Sequence, residues 1–163
     1  MAESNRHAEI LDRIINDLKG RIDERELFAS HGHRRGEVLL TRNKEKNRIE
    51  LEKPDLLIIR KDRALIIEIE LGNPPKKIIG DAALIEFSDY FIWNSEWQAL
   101  PEKKSLVIVI DEKTLKKGGL KKEQFDGLKE CVLKKFKFEL FDIVGSQEFM
   151  LPIDRWLDLH RSV

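Results

Sequence analysis

Residues 53 to 70 read KPDLLIIRKDRALIIEIE. Two apolar runs, 56–59 and 64–67, are joined by a short charged link and bear acids at their outer ends. Apolar runs this short between turn-forming residues have the length of strands. With Lys61 and Asp62 at the tip of a tight hairpin, Arg60 faces Arg63 and Asp55 falls directly opposite Glu68. A four-residue loop keeps that register, whereas an odd loop would send Asp55 to the other face. Directly paired residues share a face, as do residues two apart along a strand. Asp55, Glu68 and Glu70 therefore project together, beside Leu57, Ile59, Ala64 and Ile66. This side is apolar along most of its length and acidic only at one end.

Like charges opposed in a partly desolvated place are destabilising unless something positive compensates them. A divalent ion is the simplest compensation. Hard oxygen donors without His or Cys nearby in the sequence favour Mg2+ (or Mn2+) over zinc. A single cysteine, Cys131, excludes an internal disulfide and a Cys-rich metal cluster, and reads as a small apolar residue on a helix.

The rest of the chain supplies a setting for these strands. Ala8, Leu11, Ile14, Ile15 and Leu18 recur at helical spacing between Ser4 and Lys19, with Ser4 or Asn5 as a cap and Gly20 as a stop. GEVLLTR predicts a short strand over 37–42 and RIELEKPDLLIIR a long one over 48–60, followed by a third over 63–71. GNPP is a helix start, with Asn73 as cap and Pro74 in the first turn, leading into a helix through Ile78, Ile79, Ala82, Ile85 and Phe87. SLVIVID, apolar on both faces, suits a central strand covered by helices. A second long helix around 118–136, a strand over 136–144 and a short terminal helix over 155–160 complete the order. It predicts an α/β fold, a mixed central β-sheet flanked by helices. At 163 residues, 1–163 is expected to form a single domain.

Lys plus Arg and Asp plus Glu each number 30, so no overall field announces a polyanionic partner and any basic surface has to be local. The N-terminus lacks the apolar stretch of a secretion signal, and no run approaches a membrane span, which gives a cytoplasmic expectation with no membrane partner. Neither a Gly-rich phosphate loop nor a nucleophile elbow is present.

Pro54-Asp55 followed by Glu68-Ile69-Glu70, inside a helix-strand-strand-strand-helix-strand order, resembles the PD-(D/E)xK nuclease superfamily over roughly residues 3–111. The resemblance implies a restriction endonuclease-like fold and a magnesium-dependent DNA endonuclease. Asp55 and Glu68 would be metal ligands, with the Ile69 carbonyl beside them. The family's usual lysine is Glu70 here, as in an ExE variant, and ELGNPPKK resembles the EFGN-type continuation of such enzymes. Glu70 would then act as a base or as a further metal ligand, and Lys76 or Lys77 would supply the missing cation.

Two lysines in the first turn of a helix oppose the dipole and hint at an anionic neighbour. Arg34 and Arg35, with His31 and His33, and the run Arg42, Lys44, Lys46 and Arg48 are local basic clusters that can contact phosphates, as can Lys76 and Lys77. His31 and His33 alone make a weak metal pair. Glu9 is an off-stripe acid expected in solvent, and Tyr90, Phe91, Trp93 and Trp97 are expected to fill a core or a subunit interface. Cutting both strands of DNA implies a homodimer. The alternative is an inactive member of the fold that serves as a nucleic-acid- or protein-binding module.

Overall fold

The structure is a computed structural model that describes residues 2–30, 37–72, 75–115 and 121–159. The chain opens with helix α1 (Ala2–Leu18). It continues through β1 (Leu27–Ala29), β2 (Val38–Arg42), β3 (Ile49–Glu52), β4 (Leu56–Arg60) and β5 (Arg63–Glu70). Helix α2 (Pro75–Phe87) leads to β6 (Tyr90–Trp93), β7 (Glu96–Ala99) and β8 (Lys103–Ile110). The short α3 (Glu112–Leu115), α4 (Lys122–Lys135), β9 (Phe138–Gly145) and α5 (Met150–Asp158) follow.

The fold is mixed α/β, with two sheets where the sequence suggests one. The larger has the order β1-β4-β5-β8-β9; β1, β4 and β5 are antiparallel neighbours, and β5, β8 and β9 are parallel. The smaller is antiparallel, in the order β3-β2-β6-β7. Pro54 explains the division. The predicted strand over 48–60 is interrupted at Lys53-Pro54-Asp55, because proline has no N–H to give a ladder. The chain leaves the small sheet at Glu52 and enters the large one at Leu56.

Residues of β5 and β8 are buried on both faces, which is why these strands read as continuous Leu, Ile and Val. One face carries Leu65, Ile67, Val107 and Val109 and packs under α1 and α5. The other carries Ala64, Ile66, Leu106 and Ile108 and packs under α2, α4 and the small sheet. On α1 the buried stripe is Ile10, Leu11, Ile14 and Leu18; Ala8, expected on it, is exposed and Ile15 is half-buried. Gly20 ends this helix with a φ of 77°, as anticipated for a left-handed stop. On α2, Ile78, Ala82 and Ile85 are buried, and Ile79 and Phe87 lie outward. Their hundred-degree steps round the helix carry them off the stripe.

The aromatic segment after α2 is a hairpin that was not foreseen. Asn94 and Ser95 sit at its tip with φ of 49° and 67°, the left-handed pair of a type I′ turn. Phe91 is buried and stacks edge-on with Phe28 at 5.1 Å, so part of the expected core filling holds; Tyr90, Trp93 and Trp97 are half-buried. Cys131 lies on α4 but is exposed. Helix α5 starts at Met150, ahead of the expected 155. Among the described residues no helix is long and apolar enough to cross a membrane.

Candidate metal centre

The hairpin register is the predicted one. Arg60 pairs with Arg63, and the ladder runs back to Leu56 opposite Ile67, with Asp55 the next residue beyond its end. Lys61 takes a φ of 54° at the tip. Glu68 and Glu70 point to the same face as Ala64 and Ile66, towards α2. All three acids are buried, at 7%, 6% and 6% exposure for Asp55, Glu68 and Glu70. They lie where β5 and β8 both end, and Asp111 extends the same end of the sheet. The carboxyl end of parallel strands is the place where α/β sheets leave open space for ligands.

The break at Pro54 shapes Asp55. Its Oδ2 accepts the Ile69 N–H at 2.8 Å, a donor that β4 no longer serves once its ladder stops at Leu56. Its Oδ1 lies 3.0 Å from Nε2 of His7, on the first turns of α1. The loop is tied from behind, as Asp55 O accepts the Ser30 N–H at 3.0 Å and Pro54 O accepts the Ser30 hydroxyl. His7 is held above its ordinary value of 6.5, chiefly by the hydrogen bond to Asp55, which outweighs burial.

Glu68 is the centre of the cluster. Its Oε1 is buried and makes no hydrogen bond. Burial pushes its pKa well above the ordinary carboxylate range, and the charges of Asp55, Glu52 and Asp81 push it further. Glu52 closes β3, half-buried, and Asp81 sits on the inner face of α2 at 6% exposure. Both are also raised, first by burial.

Glu70 is arranged differently. Its Oε1 accepts from the Lys77 ammonium, which also lies 3.3 Å from Asp81 Oδ2, one helical turn further along α2. Burial would lower the Lys77 pKa, but contact with Glu70 and the charges of Glu70 and Asp81 overcome it and raise it. Glu70 itself remains raised, because burial outweighs the relief from Lys77.

Lys76 is exposed and enters none of these contacts, so the cation that meets the acids is its neighbour. Glu9 is exposed and pairs with Arg6 at 3.2 Å, as expected of a solvated acid; Arg6 also reaches Asp111 at 3.1 Å. Arg34 and Arg35, with His31 and His33, lie outside the described residues, as do Asn73 and Pro74. Arg42, Lys44, Lys46 and Arg48 are exposed around the β2–β3 connection. Three of them have local partners: Arg42 lies 3.6 Å from Asp89, Arg48 3.0 Å from Glu50, and Lys44 over the Tyr90 ring.

His7, Glu52 and Asp81 escaped the sequence reading. Asp81 had a signal: an acid on an apolar helix stripe, four residues after Lys77. His7 and Glu52 had none, since only packing brings them in.

The donor set suits a hard cation. Carboxylate oxygens dominate, one of them buried with no hydrogen-bond partner, and a lone buried carboxylate is costly unless paired. Among the described residues, no three His, Cys, Asp or Glu side chains already converge at metal-ligand spacing. Asp55 is turned to Ile69 and His7, and Glu70 to Lys77. No protein-family model, curated protein or solved structure matches the chain.

Proposed function

We propose that the chain is a magnesium-dependent endonuclease with a restriction endonuclease-like fold, hydrolysing phosphodiester bonds of DNA. The observation that carries this is Glu68: a buried carboxylate oxygen without a partner, aimed among Asp55, Glu52 and Asp81. Burial holds this carboxyl towards its neutral form, and a cation is what would stabilise it ionised; hard oxygen donors select Mg2+ or Mn2+. Asp55 and Glu68 would hold it, with the carbonyl of Ile69, the residue after Glu68, beside them. A bound ion would lower the pKa of a water and stabilise charge on the phosphate oxygens.

In the reaction the oxygen of water forms a bond to phosphorus and the P–O3′ bond breaks. One water proton is lost to solvent and one proton is taken up by the leaving oxygen, so the products are a 5′-phosphate and a 3′-hydroxyl. Asp55 orients its neighbours through the Ile69 N–H, and His7 covers it from α1. Exposed basic residues around the β2–β3 connection offer phosphate contacts that position nucleic acid without reading its sequence. A homodimer would present two such sites to a duplex.

One observation favours the inactive binding module instead. The cluster is partly compensated from within, by Lys77 on Glu70 and Asp81 and by His7 on Asp55. Incubation of the protein with supercoiled plasmid and Mg2+ or Mn2+ separates the two. Nicking that disappears in Asp55→Ala and Glu68→Ala supports the enzyme; binding without cleavage under either ion refutes it.

A further inference from the structure

We propose that Lys104 is a second reactive centre, a nucleophilic amine that takes small uncharged aldehydes or ketones as a Schiff base. It stands at the opposite end of the central sheet from the acids, and its chemistry needs neither metal nor nucleic acid. Lys104 pairs with Ala64 at the start of β8 and faces the same way as Leu106 and Ile108, where alternation calls for an apolar side chain. It is only 6% exposed, yet it lines a cavity of about 300 Å3, the small end of the range for ligand pockets. Its amine donates to Glu86 O at 2.8 Å and to Ser88 O, and both of those residues line the cavity as well. The reactive end of the side chain is therefore at the cavity wall.

The donor count favours the neutral amine. An ammonium has three N–H groups to place, whereas the amine has two and a lone pair. The two carbonyls take two donors, and among the described residues no other group accepts from Lys104 and no carboxylate pairs with it. Burial lowers the amine to about 8, against the pull of Glu86, Asp89 and Glu102 and with help from Arg42. A desolvated lysine of this kind is the usual Schiff-base former. The charges around it select the electrophile. Glu86 of α2, Asp89 beyond it and Glu102 before β8 face Arg42 of β2 and Lys137 before β9, three carboxylates against two cations. An acyl donor would leave a neutral amide there and carbon dioxide an anionic carbamate, and neither gains from that balance. A carbonyl compound leaves a cation. The amine nitrogen forms a C–N bond to the carbonyl carbon, and one of its protons passes to the carbonyl oxygen. That oxygen takes a second proton from solvent and leaves as water, so the nitrogen ends as an iminium with one N–H for one of the two backbone carbonyls. The same negative balance disfavours aldehydes that carry a carboxylate of their own.

The experiment is reductive alkylation of the wild-type protein, its fold verified by circular dichroism, with propionaldehyde and sodium cyanoborohydride. Hydride from the reagent adds to the iminium carbon and fixes the adduct, and peptide mass spectrometry reads the rate at each lysine. Glyoxylate serves as the anionic aldehyde. At neutral pH, Lys104 is expected to react at least about tenfold faster than its exposed neighbour Lys103, because an amine near 8 is neutral about 300 times as often as one at 10.5. That advantage should shrink as pH rises towards 10.5, where an ordinary lysine becomes neutral too. The preference for propionaldehyde over glyoxylate should be larger at Lys104 than at Lys103. Three results would overturn the assignment: a Lys104 no faster than Lys103 in the folded protein, a Lys104 that reacts only once urea has unfolded the chain, or the same preference between the two aldehydes at both lysines.

Discussion

Glu68→Gln removes one charge and almost no volume from a buried position where one carboxylate oxygen meets no donor. The Glu68 pKa is raised well above 4.5 by burial and by its acidic neighbours. A carboxyl with a higher pKa in the folded than in the unfolded state binds more protons when native, so metal-free stability falls as pH rises from 4.5 towards the folded value. Below 4.5 the wild-type residue is a neutral acid and Gln mimics it, so the two proteins should unfold together. Above the folded value, the wild type carries an ionised oxygen, Oε1, without a donor, and a buried unsatisfied group costs about 1–3 kcal/mol. The Gln amide is neutral and its N–H groups can donate to the surrounding carboxylates. Glu68→Gln should therefore be the more stable protein in mildly alkaline, metal-free buffer by about 1–3 kcal/mol. In a chain of this size that is a rise of about 2–4 °C in melting temperature per kcal/mol. Mg2+ should invert the order: at a hundred times its dissociation constant a ligand stabilises by about 2.7 kcal/mol, and only the wild type should gain this. Urea unfolding across the pH range, with EDTA and with Mg2+, measures both effects. A Glu68→Gln protein less stable than wild type at every pH without metal, or equal stabilisation of both by Mg2+, would refute the reasoning.

Asp55→Ala removes the acceptor of the Ile69 N–H and should cost about 1–3 kcal/mol in denaturant unfolding, while Asp55→Asn, which can keep that bond, should cost less and still abolish metal-dependent cleavage. The His7 ring should titrate above 6.5 by NMR and return towards that value in Asp55→Asn. Because its folded pKa is raised, the stability His7 contributes is fully present below 6.5 and is lost as pH climbs through the folded value, so His7→Ala should flatten that part of the stability profile. At the far end of β8, Lys104 is buried and donates to Glu86 O at 2.8 Å and to Ser88 O, beyond the last turn of α2. Burial lowers its amine to about 8, which an NMR titration of its side chain would show. The native state then binds fewer protons than the unfolded chain between about 8 and 10.5, so this residue makes stability rise across that window. Lys104→Met should remove the rise and cost about 1–3 kcal/mol, measured by unfolding at neutral pH, for two carbonyls left without a donor.

The hairpin at the heart of the site was legible because strand alternation is local. An even link between two apolar runs fixed the register and put Glu68 and Glu70 on one face, with Lys61 and Asp62 in the turn; Asp55, one residue beyond the ladder, turns to the Ile69 N–H and to His7 of α1. The double-sided burial of β8 was legible for a similar reason, from an apolar run without alternation. The second sheet was not. Pro54 belongs to the Pro54-Asp55 motif, and its missing N–H also marks where the chain changes sheets. The Asn94-Ser95 turn was a missed local signal, overshadowed by the aromatic residues on either side.

The sequence by itself determined the hairpin register and that Glu68 and Glu70 share a face, since both depend on residue spacing within one hairpin. Only the tertiary structure decided which cation meets which acid. Lys77 and not Lys76 reaches Glu70, His7 arrives at Asp55 from α1, and Glu68 is left with a buried oxygen that no donor serves. Those outcomes depend on how α1 and α2 lie across the sheet. Burial and charge pairing are set by contacts between segments far apart in the chain, and no local periodicity encodes them.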